Sequence, residues 1–222
     1  MPDVRAGLRS RFIAWNGAQR SGARWRGATY SCRMPLPAAR SRRQIHTRRI
    51  ELRAYLRDDG LYDLEAHLTD RKPHDFTVTV GPLVPAGMPI HEMWVRLTID
   101  DQLLVRDIAG ATDATPYADC RSAPPTLRSM IGARIGSGWS REVKLRLGDA
   151  KSCTHLRDLL APLGTLAVQA LVDVLRVRPL TVHADGRPSS IDSCYALASH
   201  RSVVALRWPE HATRSPDREE TD

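Results

Sequence analysis

The chain has 222 residues and a mass of 24.8 kDa, enough for one domain with a proper core and too little for two comfortable ones. Its formal charge of +8 is unevenly placed: residues 1 to 33 hold seven arginines against one acid, and the rest carries 26 basic and 24 acidic residues. A nearly neutral domain disfavours a nucleic-acid partner, and no run approaches the ~20 apolar residues of a membrane span; a small-molecule substrate is the partner expected on the enzyme reading below.

The leader contains Arg5, Arg9, Arg11, Arg20, Arg24, Arg26 and Arg33 with Trp15 and Trp25. It has no apolar stretch of signal-peptide length and no sustained apolar stripe. Residues 1–33 therefore read as a disordered basic extension that need not be native, with Met34 as the natural start. The cysteines Cys32, Cys120, Cys153 and Cys194 are widely spaced and follow no secretory signal, which fits a reduced cytoplasmic compartment better than a disulfide framework.

From Ile50 the pattern alternates. Ile50, Leu52, Ala54 and Leu56 share one face, Asp58-Asp59-Gly60 supplies a turn, and Tyr62, Leu64, Ala66 and Leu68 alternate with Asp63, Glu65 and His67 on the return. The proline- and glycine-rich stretch from Arg71 to Pro89 reads as one short strand around Phe76 and a loop. A second hairpin follows: Met93, Val95, Leu97 and Ile99 point one way, Asp100-Asp101 turns, and Leu103 to Ala109 returns.

Past Cys120 the period lengthens. Leu127, Met130 and Ile131 suit a short helix ended by Gly132, and Trp139, Val143 and Leu147 one ended by Gly148. The longest helix is expected to start at Ser152 as N-cap and to run towards Arg178. Leu156, Leu159, Leu160, Leu163, Ala167, Ala170, Leu171 and Val174 form its apolar face, and Pro162 kinks it. Ser202 to Trp208 reads as a further strand, and residues 210–222 as a disordered tail. Strands first and helices later predict an α+β domain over 34–209: an antiparallel sheet of two hairpins or more, packed against a long C-terminal helix and short helices.

Several segments in order carry a family resemblance: Ile45-His46-Thr47-Arg48-Arg49-Ile50, Asp59-Gly60-Leu61-Tyr62-Asp63-Leu64-Glu65, Leu68-Thr69-Asp70, Ile90-His91-Glu92-Met93, Pro116-Tyr117 to Cys120, Cys153-Thr154-His155-Leu156 and Ile191-Asp192-Ser193-Cys194. Over about Met34 to Pro209 the chain resembles the bacterial domain-of-unknown-function family 2889. The family commonly has glycine before its Cys-Thr-His, where this chain has Ser152. The resemblance names no activity; it implies a setting among bacterial genes for aromatic-acid, steroid and acyl-CoA breakdown.

A looser resemblance of layout is to iron–sulfur cluster scaffolds of the NifU type, which place thiols before a hairpin, after it and at the start of the last helix. His91 stands where those scaffolds have a cysteine, which favours a mononuclear site over a cluster. His91, Cys120, Cys153 and His155 would be the metal ligands, two thiolates and two imidazoles suited to zinc or iron. Cys153 and His155 diverge by about 200° on a helix, so both reach one metal only if Cys153 lies at or before the cap.

Other candidates sit on the strands. His46, Arg48 and Arg49 suit a carboxylate or phosphate, the arginines as substrate-binding forks. Glu65, His67, His91 and His46 are candidate acid/base groups. Taken with the catabolic setting that the family resemblance implies, these residues suggest a small cytoplasmic enzyme of the lyase or hydrolase type, its aromatic or acyl substrate being what that resemblance implies, with or without a metal. The alternative is a metal- or iron–sulfur-handling accessory protein. The oligomeric state is left open.

Overall fold

The structure, a computed structural model, describes residues 36–177 and 182–213. The whole leader, 1–33, and the end of the tail, 214–222, lie outside the described residues. The unit that carries the sheet runs from Gln44 to Asp222, and the unit before it, Met1–Arg43, is described at 36–43, where neither helix nor strand occurs.

The alternating stretches form a hairpin of β1 (Thr47–Leu56) and β2 (Tyr62–Arg71), in which Ile50, Leu52, Ala54 and Leu56 face Leu68, Ala66, Leu64 and Tyr62. Gly60 turns it at φ +82°, a conformation that costs a Cβ-bearing residue dearly. β2 pairs with β5 (Pro89–Ile99) and β5 with β6 (Val105–Ala114), giving an antiparallel sheet of order β1-β2-β5-β6. The α+β class and its antiparallel sheet are as expected. Asp100 closes the second hairpin, its Oδ1 accepting the N–H groups of Gln102 and Leu104 at 2.8 and 2.9 Å, and β6 runs past Ala109 to Ala114. Instead of one short strand, the proline-rich segment forms a two-residue pair of its own, β3 (Phe76–Thr77) with β4 (Leu83–Val84).

One face of the sheet is covered. Leu64, Ala66 and Leu68 of β2 and Met93, Val95, Leu97 and Ile99 of β5 are at most 2% exposed. The register slips by one residue where β2 ends: Asp70 lies opposite His91, but Arg71 lies opposite Pro89, so Ile90 is the extra residue of a bulge.

A 3-10 helix over Pro124–Met130 buries Leu127 and Met130, and α1 (Trp139–Leu147) buries Trp139, Val143 and Leu147, as their spacing predicts. The single long helix does not form. In its place stand α2 (Thr154–Asp158), α3 (Leu160–Ala170) and α4 (Val172–Arg176). Pro162 cannot donate to the Asp158 carbonyl and its ring crowds that group, so the helix stops at Asp158 rather than kinking at the proline. Leu159 N–H turns back to Leu156 O at 3.3 Å, and Pro162 falls in the first turn of α3, where no donor is missed. Leu156, Leu159, Leu160, Leu163, Ala167 and Leu171 are fully buried, whereas Ala170 is exposed. A Cβ at Gly164 would lie 2.7 Å from the Trp139 ring, so glycine lets α1 and α3 touch; Trp139 Nε1–H donates to Leu160 O at 2.8 Å.

Two further expectations are corrected. The N-cap is Cys153, not Ser152, whose Oγ instead shares a hydrogen bond with Thr126 Oγ1 at 2.7 Å. Ser202 to Trp208 is no strand: Ser202–Arg207 forms α5, and Val204 packs with Trp208, four residues on, against Ile191 in a small separate cluster. An apolar run this short fits either period. Among the described residues no helix is long and apolar enough to cross a membrane.

Candidate functional site

The covered face changes character at one end. Arg48, Asp70 and His91 are register partners across β1, β2 and β5. Asp70 continues the even-numbered row of Leu64, Ala66 and Leu68, and is 1% exposed. A lone carboxylate there would be costly, but this one accepts four hydrogen bonds. Arg48 donates as a fork, Nε to Oδ1 at 2.8 Å and Nη2 to Oδ2 at 2.7 Å. His46 Nε2 reaches Oδ1 at 2.9 Å and His91 Nδ1 reaches Oδ2 at 3.1 Å.

These contacts fix protons. An ionised carboxylate only accepts, so His46 must carry hydrogen on Nε2 and His91 on Nδ1, which leaves Nε2 as the basic nitrogen of His91. Burial pushes the Asp70 carboxyl up, but the hydrogen bonds from Arg48 and His46 and the charges of Arg48 and His91 outweigh it and hold Asp70 well below the usual carboxylate range. Burial, and then the charge of His155, push His91 below its ordinary value, with Asp70 opposing only in part. His91 is therefore mostly neutral at pH 7.

His155, in the first turn of α2, packs on His91 with ring centroids 3.8 Å apart and tilted by 33°. Burial and the charge of Arg48 lower its affinity for a proton. Cys153, at the cap of the same short helix, has its Sγ 3.9 Å from His155 Nδ1, the placement that lets both reach one point. Among the described residues, Asp70, His91 and His155 are the group whose metal-capable atoms lie within 4.8 Å of one another. Neither expected thiol is in that group: Cys153 Sγ lies near His155 but does not converge with His91, and Cys120 is half-buried in the 3-10 turn Ala118–Ser122 that follows β6. With four donors already on it, Asp70 is better suited to orient His91 than to bind a metal itself.

The remaining candidates lie on the other face. Glu65, His67 and Arg49 occupy odd positions, which the pleat turns away from Asp70. There Glu65 pairs with Arg96 at 2.7 Å, and His67 stacks on Trp94 at 3.6 Å with its Nε2 3.2 Å from Glu92. Arg49, exposed, lies opposite Thr69. These three do not converge with His46, Arg48 and His91.

A cleft of about 250 Å³ opens over the Asp70 cluster. His46, Arg48, Asp70 and His91 line one side; Lys72, Phe76, Val78, Ile90, Pro116 and Tyr117 line the rest. Lys72 Nζ lies 5.3 Å from the centre of the Phe76 ring. Asp70, Lys72, Phe76 and Tyr117 were not picked out from the sequence as site residues. For Asp70 a signal existed: a carboxylate in the even-numbered row that otherwise builds the core.

Fold and site thus define an α+β domain with a carboxylate-centred histidine–arginine cluster beneath a cleft. Residues 46–169, more than half of the chain, match the family model described as protein of unknown function (DUF2889), and the chain belongs to that family. The matched segment begins at His46 and spans every member of the cluster. No curated protein and no solved structure matches the chain, so the NifU-type layout gains no support from these comparisons.

Proposed function

We propose that the chain is a small cytoplasmic catabolic enzyme of the lyase or hydrolase type, in which His91, held by Asp70, exchanges a proton with an aromatic or acyl substrate in the cleft. The supporting observation is the 3.1 Å contact from His91 Nδ1 to a buried carboxylate, which leaves Nε2 as the basic nitrogen of a neutral imidazole whose residue lines a cleft. Asp70 positions that ring. Arg48 and Lys72 bring more positive charge than Asp70 cancels, which favours a substrate bearing an anionic group, while Phe76, Val78 and Tyr117 suit an apolar body.

The test is a panel of aryl carboxylates and acyl thioesters incubated with the protein and followed by mass spectrometry. His91→Ala should slow consumption of the active compound by roughly 10²- to 10⁴-fold, the usual worth of a general acid or base. An unaffected rate in that variant, or no compound consumed, would reject the reading.

A second reading, metal handling, is favoured by the placement of Cys153 Sγ beside His155 and of His155 on His91. Two imidazoles and a thiolate suit zinc or iron, with Asp70 behind His91 as the carboxylate that orients a ligating histidine. Elemental analysis of the purified chain should then give about one equivalent of metal, sharply reduced by Cys153→Ser. Iron with a visible cluster band would favour the accessory role, and zinc would be compatible with an enzyme.

A further inference from the structure

Among the described residues, β1 has one strand neighbour, β2, so its other side is an open edge. The strand is ten residues long and eight of them are exposed, Ile50 by 43% and Leu56 by 52% among them. A long unpaired edge is a template for another strand, and the chemistry of this one says which.

At the hairpin end, Arg57 N–H donates to Leu61 O at 2.9 Å. In the alternation of an antiparallel ladder, the odd-numbered residues of β1 therefore bond to β2. The even-numbered residues, Arg48, Ile50, Leu52, Ala54 and Leu56, then turn their N–H and C=O groups to the open edge. A second copy of β1 meets the same rule only if even residues pair with even ones, so a twofold axis must pass through a residue position.

The charges choose the position. An axis at Glu51 puts Glu51 opposite itself and Arg49 opposite Arg53, and an axis at Arg53 puts Arg53 opposite itself. Like charges directly opposite destabilise a pair of strands. An axis at Leu52 instead sets Glu51 of each copy opposite Arg53 of the other, twice, so that the pair each copy holds within its own strand, Arg53 Nε to Glu51 Oε1 at 2.9 Å, is extended across the seam, and it pairs residues 48–56 throughout. On the covered side it places Leu52 against Leu52 and Ile50 against Ala54. Axes at Ile50 and Ala54 also avoid like charges but pair only residues 47–53 and 52–56 of the strand. We propose that the chain forms a twofold dimer in which β1 pairs with β1 of a second copy about an axis at Leu52, joining two four-stranded sheets into one.

Sedimentation velocity on the full chain tests this, with circular dichroism to confirm that each variant is folded. The wild type should dimerise reversibly. Glu51→Arg alone and Arg53→Glu alone should each weaken association by about tenfold or more, since each sets two like-charge pairs across the seam. Mixing the two variants should restore the dimer as a heterodimer, because every altered side chain then meets an opposite charge. A wild type monomeric at its highest soluble concentration overturns the proposal, as does a dimer indifferent to both substitutions. Weakening without rescue on mixing overturns the axis at Leu52, since an axis at Ile50 leaves Arg53 opposite Thr47.

Discussion

Asp70 and Glu65 lie on the same strand, and each pairs with an arginine of a neighbouring strand at 2.7 Å. Asp70, on the even row, is 1% exposed and gathers Arg48, His46 and His91; the Glu65 side chain, on the odd row, is 33% exposed and holds Arg96. Parity alone separates them. A buried carboxylate with four donors sets the protonation of its neighbours, whereas a solvated one gains a Coulomb energy that water largely cancels.

Substitution should make that contrast measurable. Asp70→Ala takes the shared acceptor from Arg48, His46 and His91, and because the Arg48 side chain is 42% exposed and can turn to water, urea unfolding should show a loss of roughly 1–3 kcal/mol. A loss below about 1 kcal/mol would mean that the cluster relaxes into water and does not behave as a buried one. The helices that cover the even row should matter at least as much: Leu160→Ala, at a fully buried position, should cost roughly 2–5 kcal/mol, while Val168→Ala, at a position 41% exposed on the same helix, should stay within about 0.5 kcal/mol.

The pH profile sharpens the comparison on the covered side. His91 and His155 bind a proton less readily when folded than the ~6.5 of a free histidine. As pH falls through that value the unfolded chain takes up protons first, so stability drops below about pH 6.5, and His91→Gln should flatten that limb. Asp70, held low by its partners, adds a further loss as pH falls through the ordinary carboxylate range near 4 and below. The smallest effect belongs to the open face. Glu65→Ala should cost no more than about 1 kcal/mol, and less still at high salt.

Much of this was legible in the chain. Both hairpins followed from period two and their turns, Asp58-Asp59-Gly60 and Asp100-Asp101, and the covered row could be named in advance because Leu64, Ala66, Leu68, Met93, Val95, Leu97 and Ile99 alternate without exception. The same parity places His46, Arg48 and His91 with that row and Arg49, Glu65 and His67 against it, although residue type alone had drawn them all into one list. Asp70 was passed over because a carboxylate does not announce burial; its position in the row does. What alternation does not encode is reach between distant segments, so the meeting of His155 with His91, and the absence of Cys120 from their company, depended on where α2 comes to rest. The break after α2 arose from a steric effect that acts four residues upstream of its cause, at Asp158 rather than at Pro162.

The bulge at Ile90 bears on how such a chain can vary in length. Between Lys72 and Met88 the backbone leaves the main sheet for the small β3–β4 pair, so residues gained or lost there alter a loop and leave the pleat untouched. From His91 to Ile99 the same event would exchange the two faces, because each strand residue beyond it changes sides. Ile90 already marks a place where one extra residue is absorbed without disturbing Asp70 opposite His91. Related chains should therefore differ in length mainly between 72 and 88, and keep the spacing from position 91 to 99 unbroken.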